Sequence, residues 1–330
     1  MPVRTLAAAL TLGLLLQFAA PDATQAQAYP SRNITIVVPL AAGTGMDAVA
    51  RIYGDELAKS LGKPVVIENQ PGAAMMTAAA SVARATGDGH TLLVAAIAPL
   101  AVNQTLYKKI AYDPDADFVP IALYAKSPFV LVVNADAGFD SVEAFMKRAK
   151  DKAASPLNYS TPGAGLLQHL TMEALKRRFG FEATHVAYRS SPQAITDVVG
   201  GHVHASIAEM GASLALIREG RLKALAVTSL ERLPSLPPVP TLAEATGLTG
   251  YEAVSWHVLV APASTPREIV DRLHAEMKRI TGDKAFKERL AATGLLPVDT
   301  APIDEITRYI RAERAKWSTV VKDLGLEGSQ

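Results

Sequence analysis

Hydrophobic and polar positions in this chain follow two alternating periods. Asn33 to Val38 is rich in β-branched residues and predicts a strand. From Asp47 to Leu61, apolar Val49, Ala50, Tyr53, Leu57, Ala58 and Leu61 fall at helical spacing, and Gly62 ends the pattern. Pro64 to Asn69 predicts a second strand, closed by the turn Gln70-Pro71-Gly72. Ala73 to Ala85 predicts a helix and Thr91 to Ala95 a third strand. Strands and helices in this order predict an open α/β sheet with mostly parallel strands.

The order then begins again. Phe129 to Val133 predicts a strand, Ser141 to Ala153 a serine-capped helix, and Leu157 to Ser160 a strand. Gly165 to Arg178 and Pro192 to Gly200 read as helices on either side of a strand at Ala183 to Val186. Strands at Val203 to Ile207 and Ala224 to Thr228 complete a second sheet. Between Arg232 and Thr241, prolines 234, 237, 238 and 240 break the periodicity and predict an extended, stiff segment. Beyond it come one strand, Ser255 to Val260, and helices at Pro266 to Thr281, Asp283 to Thr293 and Ile303 to Leu324. Helices without new strands must cover sheet made earlier, so the C-terminal part is expected to return to the first domain. The expected division is residues 29–128 and 255–330 for domain I, with 129–254 as domain II. A ligand would then sit between the two, outside the carboxyl ends of their strands.

The first residues read differently. Arg4, the apolar run Leu6 to Ala20 and the small residues of Ala26-Gln27-Ala28 form the pattern of a signal peptide cut after Ala28. That predicts an exported, periplasmic protein. The chain has 49% apolar and 20% charged residues and a formal charge of +1, which gives no footprint for nucleic acid. It has no cysteine, which removes disulfides, thiolate nucleophiles and thiolate metal sites.

Two loops carry the candidate chemistry. In Val38-Pro39-Leu40-Ala41-Ala42-Gly43-Thr44-Gly45-Met46-Asp47 a strand runs through small residues into a helix, where open backbone amides can hold an anion. The spacing matches neither nucleotide-binding glycine motif, and no lysine follows. Asp47 reads first as a helix cap and second as a ligand contact. Tyr159-Ser160-Thr161-Pro162-Gly163-Ala164-Gly165 repeats the design in the second half. With no arginine or lysine inside either loop, a carboxylate suits the pair better than phosphate. Met75 in the turn after Gly72 reads either as core or as an apolar cleft wall; Ala73, Ala96 and Ile97 are similarly placed. Arg189, in Tyr188-Arg189-Ser190, falls at another strand-to-helix turn and has the reach to meet an anion.

Catalysis is weaker on these residues. Ser160, His169 and Glu173 can be drawn together as a hydrolase, but Ser160 is not in a nucleophile elbow. His202 and His204 fall short of a closed metal site. The sequence thus predicts no catalytic residue, no metal and no cofactor.

The chain resembles, over most of its length, the substrate-binding proteins of tripartite tricarboxylate transporters, the type expanded in Bordetella. Pro39, Gly43, Asp47, Ala50 and Arg51 match one signature, Glu68 to Ala73 the next, and Asp88-Gly89-His90-Thr91-Leu92 a third. Tyr159, Thr161, Gly163, Gly165 and His169 follow, then Leu225 to Thr228, Val239-Pro240-Thr241, Trp256, Ala261 to Pro266 and Trp317. The resemblance implies a two-domain flytrap of type II-like periplasmic-binding-protein fold, each domain a mixed sheet flanked by helices. It implies a small organic acid as ligand: a dicarboxylate, an amino acid or an aromatic carboxylate. It places Ala41, Ala42, Gly43, Thr44, Asp47, Thr161, Gly163, Ala164 and Gly165 at that ligand, partly through water, with Leu166, His169, Tyr188 and Trp256 as further lining. The implied partner is a two-subunit inner-membrane permease, or a sensor protein instead, and the receptor is expected to be a monomer. Thr44, Ala74, Met75, Leu166, Arg189 and Ser190 depart from the usual residues of the family. Together they suggest a ligand with a polar acid end and a less polar body.

Overall fold

The computed structural model describes residues 29–330, so the expected signal segment lies outside the described residues. Its strands are β1 (Ile34–Val38), β2 (Val65–Asn69), β3 (Thr91–Ala95), β4 (Phe118–Ser127), β5 (Phe129–Asn134) and β6 (Leu157–Thr161). They continue with β7 (Ala183–Ala187), β8 (Ala205–Glu209), β9 (Leu222–Val227), β10 (Ser255–Pro262) and β11 (Leu296–Pro297). The helices of the first half are α1 (Gly45–Leu61), α2 (Met76–Ala83), α3 (Asn103–Leu106), α4 (Val142–Lys150) and α5 (Leu167–Phe179). The rest are α6 (Ser191–Val199), α7 (Met210–Arg218), α8 (Leu242–Thr246), α9 (Arg267–Gly282), α10 (Lys284–Ala292) and α11 (Ile303–Asp323).

The strands form two sheets, in the orders β11-β4-β10-β3-β1-β2 and β7-β6-β8-β5-β9. The molecule is therefore two mixed α/β domains, each with helices against its sheet. The strands of the first run, β1, β2 and β3, pair in parallel as their order predicted, and the whole sheet is mixed because β10 runs antiparallel to both β3 and β4. In the second sheet β6, β7 and β8 are parallel, while β5 is antiparallel to β8 and β9. β10 arrives from the second lobe and inserts between β3 and β4, which fixes its direction.

Buried alternate residues explain the layers. Ile34, Ile36 and Val38 of β1 pack with Val49, Tyr53 and Leu57 of α1 and Leu273 and Met277 of α9 on one face of the first sheet. On the other, Val37 and Leu93 join a core that runs through Trp256 and Trp317 into Phe129, Leu131 and Tyr159 of the second lobe. The lobes thus share a continuous core beneath the crossing segments. The proline-rich stretch is less extended than expected: backbone turns close at Leu236→Leu233 and Val239→Leu236, and Thr241 bridges Val227.

Candidate functional site

Both predicted loops leave the carboxyl ends of strands that lie inside the parallel blocks of their sheets. In the first, Thr44 is the N-cap of α1. Its hydroxyl donates to the Ala41 carbonyl at 2.9 Å and accepts the Asp47 N–H at 3.4 Å. Asp47, expected as the cap, is the third residue of the helix and only 3% exposed. Its carboxylate accepts the Gly43 N–H at 2.9 Å, Arg51 Nη2 at 2.9 Å, Arg51 Nε at 3.1 Å and Asn69 Nδ2 at 3.0 Å. Burial pushes the Asp47 carboxyl up, but the bonds from Arg51, Gly43 and Asn69 outweigh it and hold its pKa below the usual carboxylate range. Asp47 therefore shapes the loop rather than presenting a free acid. The Gly43 N–H is turned inward with it. The amides left for an anion are those at the mouth of α1, around exposed Ala41, Ala42 and Gly45, where the helix dipole favours negative charge.

The second loop is held by histidines. Thr161 is fully buried; its hydroxyl donates to the Gly163 carbonyl at 2.9 Å and sits 2.7 Å from His185 Nε2. Gly165, at φ +76°, donates its N–H to His169 Nδ1 at 3.1 Å. The two imidazoles stack at 4.1 Å, and His185 also stacks on Tyr159. Burial lowers both pKa values, that of His185 to about 4, so both rings are neutral at pH 7. Below them Glu173 accepts Tyr159 Oη at 2.6 Å and Lys176 Nζ at 2.8 Å. His169 is thus a prop for the loop. Leu166, at the N-cap of α5, brings no side-chain bond, so the first amides of α5 open toward half-buried Gly163 and exposed Ala164. The face of this loop meets the other lobe: a methyl group on Gly165 would lie 2.4 Å from Leu106 Cδ2 of α3.

The remaining predicted residues scatter. Ala73, Ala74 and Met75 occupy the left-handed region at φ +43°, +49° and +71°, three strained residues in succession. Asn103, the buried first residue of α3, pins this turn by donating to the Ala74 carbonyl at 3.0 Å. Met75 is half-buried against the first-lobe core. Ala96 and Ile97 are buried at 1% and 2% exposure. Trp256 is corrected from cleft to core: it is 0% exposed, and its Nε1 donates to Glu313 Oε2 at 3.3 Å. Tyr188 is half-buried and bonds Asp197, while Arg189 beside it is exposed. Sequence reasoning passed over Glu209, the last residue of β8, half-buried at the same sheet end as Thr161. An acidic residue ending a buried apolar strand was the signal available.

The hydrolase alternative loses its nucleophile, since Ser160 is 0% exposed and donates to the Ala194 carbonyl at 3.1 Å. His202 lies in the turn before β8, and His204 is bonded to Asn158. Among the described residues no group of three or more His, Cys, Asp or Glu is placed to hold a metal ion.

The sequence model of the "Tripartite tricarboxylate transporter family receptor" matches residues 49–326. A Rhodopseudomonas palustris protein, Rpa4515, solved with adipate, is 33% identical; the alignment covers 90% of this chain and 98% of that one, with a TM-score of 0.84. The periplasmic binding protein BugD is 30% identical over 91% of this chain and 99% of its own, at a TM-score of 0.81. MatC of the same Rhodopseudomonas, with bound malate, is 33% identical, covering 89% and 100% at 0.79. These relatives are solute-binding proteins, not enzymes.

Proposed function

The chain belongs to the tripartite tricarboxylate transporter receptor family, and on that premise we propose that it captures a small organic carboxylate between its two lobes for delivery to a membrane permease. The observation that carries this reading is the repeated construction of the two loops. Each follows the carboxyl end of a strand in a parallel block and runs into the N-terminal amides of a helix of 13 or more residues. In α1 the Thr44 hydroxyl takes the Asp47 N–H, and in α5 no side chain caps the first turn. Ala41, Ala42, Gly43, Thr44, Gly163 and Ala164 would bring the ligand to those amides. Asp47, Thr161, Gly165 and His169 would hold them in place. Adipate and malate, the ligands of two relatives, are of the chemistry such amides suit.

Export by residues 1–28, a monomeric receptor, and domains of 29–128 with 255–330 and of 129–254 belong to the same proposal. Ligand contacts from both lobes favour the closed form, and the closed form presents the surface a permease reads. Hydrogen exchange of the purified protein, with acids screened by calorimetry, tests it. An acid that binds should slow exchange of the backbone amides in 41–46 and in 163–169 together. Binding that protects neither segment, or only one, overturns the reading.

A further inference from the structure

The loop amides account for a carboxylate, but they leave Glu209 without a role. In the ladder, Tyr159 of β6 pairs with His185 of β7 and Ala205 of β8. The carboxyl ends of these three parallel strands therefore lie at one edge of the sheet, where the Gly163 loop follows β6, Arg189 follows β7 by two residues and Glu209 closes β8. In the sheet order β7-β6-β8, Arg189 follows the strand on one side of the second loop and Glu209 ends the strand on the other. Glu209 also stands at the lobe boundary. The residues after it pack on the other lobe: a methyl group on Gly294 would lie 2.8 Å from Met210 Cβ, and one on Gly211 would lie 3.4 Å from the Thr293 carbonyl.

Among the described residues no ion pair holds this carboxyl group. Glu209 is the N-cap of α7, yet its side chain does not cap the helix. The polar side chain beside it is the Ser191 hydroxyl, and among the described residues no cation offsets its burial, which raises its pKa. A half-buried acid without a counter-ion costs stability, which a structural role would have to repay. A ligand can supply the missing charge instead.

We propose that Glu209 is the specificity-determining residue of the cleft: it meets a protonated nitrogen on the ligand whose carboxylate lies at the Gly163 loop, so the chain selects zwitterionic carboxylates over dicarboxylates. This rests on the carboxylate reading above. A second carboxylate placed at Glu209 would face a like charge in a half-dry cleft, whereas an ammonium or protonated ring nitrogen gains a charge-assisted bond.

Calorimetry on matched acids tests it: adipate against 6-aminohexanoate, glutarate against 5-aminopentanoate, and succinate against 4-aminobutanoate. In the wild-type protein the amino member of at least one pair should bind at least tenfold tighter. E209Q should weaken that member at least tenfold and leave the dicarboxylate unchanged or tighter, while E209D, which keeps the charge, should keep the sign of the preference. Dicarboxylates that bind as well or better in every pair overturn the inference and leave the carboxylate reading standing. Equal weakening of both members by E209Q, or by E209D where E209Q does not fold, assigns Glu209 a structural role and also overturns it. If no acid of either kind binds, both readings fall.

Discussion

At the scale of single residues, the first loop is organised around one buried carboxylate. Asp47 ties the Gly43 amide, the Arg51 guanidinium and the Asn69 amide into one cluster, so the turn between β1 and α1 has its shape before any ligand arrives. D47N keeps the size of the side chain but removes the charge that orders Arg51. It should cost about 1–2 kcal/mol, the scale of a charge-assisted hydrogen bond. Because the folded pKa is depressed, this contribution is present above about pH 4, the ordinary carboxylate value, and is lost as pH falls through the folded one. Urea unfolding should separate wild type from D47N at pH 7, with the gap shrinking by pH 3; a gap of equal size at both would show that charge is not involved. Much of this residue was legible, since an acid at a helix start reads as structural. What was not legible is which residue caps: Thr44 takes that place because its hydroxyl bridges Ala41 and Asp47. The strained Ala73 to Met75 turn was not legible either, because left-handed backbone at alanine and methionine has no signature in side-chain chemistry.

At the scale of elements, the regular helices and strands were readable because their periods were clean. The failures have physical causes. β4 went unseen because Pro120 argues against a strand, yet the ladder with β10 shifts register between Leu259 and Val260, opposite that proline. β11 reaches only Lys126 and Ala125, so it asks for no ladder bond at Pro120. α8 is short but carries a complete capping box between Thr241 and Glu244, a signal the proline-rich context hid. The second loop depends on elements far apart in sequence: β6, β7 and α5 meet through stacked His169 and His185. His169 accepts from Gly165 only while neutral, and the charged groups around the pair are Glu173 and Lys176. Folded pKa values below 6.5 mean that the unfolded chain takes up protons first on acidification. The stability of this loop is full above pH 6.5 and falls as pH drops toward about 4. Ring-proton NMR should show both histidines titrating below 6.5, His185 near 4, with hydrogen exchange in 161–169 rising as they take up protons. A ring titrating at 6.5 or above would remove the prop from this account.

At the scale of the molecule, the question is what lets two lobes with a shared core change their separation. The chain passes from β4 to β5 at Pro128 and returns through 228–254, and these crossings are tied together: Phe129 and Thr228 exchange bonds of 2.9 Å, and Ala253 donates to Thr228 at 3.0 Å. Beyond this junction the lobes touch through small residues, Gly165 against Leu106 and Gly294 against Met210. Glycine at 165 serves twice there, giving the loop its φ of +76° and leaving room for Leu106, which is 1% exposed. G165A adds a methyl group at 2.4 Å from Leu106 Cδ2, a separation that packed atoms do not sustain. Either the Leu106 side chain turns aside or the lobes stay further apart; where buried Leu106 has no room to turn, a ligand contacting both loops loses one set of contacts. Since affinity scales with the fraction of the competent form, G165A should weaken binding at least tenfold. Small-angle scattering should then show a radius of gyration that no longer contracts when ligand is added. L106A distinguishes crowding between lobes from strain within the loop: if crowding dominates, the L106A/G165A double variant recovers both contraction and affinity relative to G165A. If strain dominates, affinity stays low in the double variant, and the interlobe contact is not what sets closure.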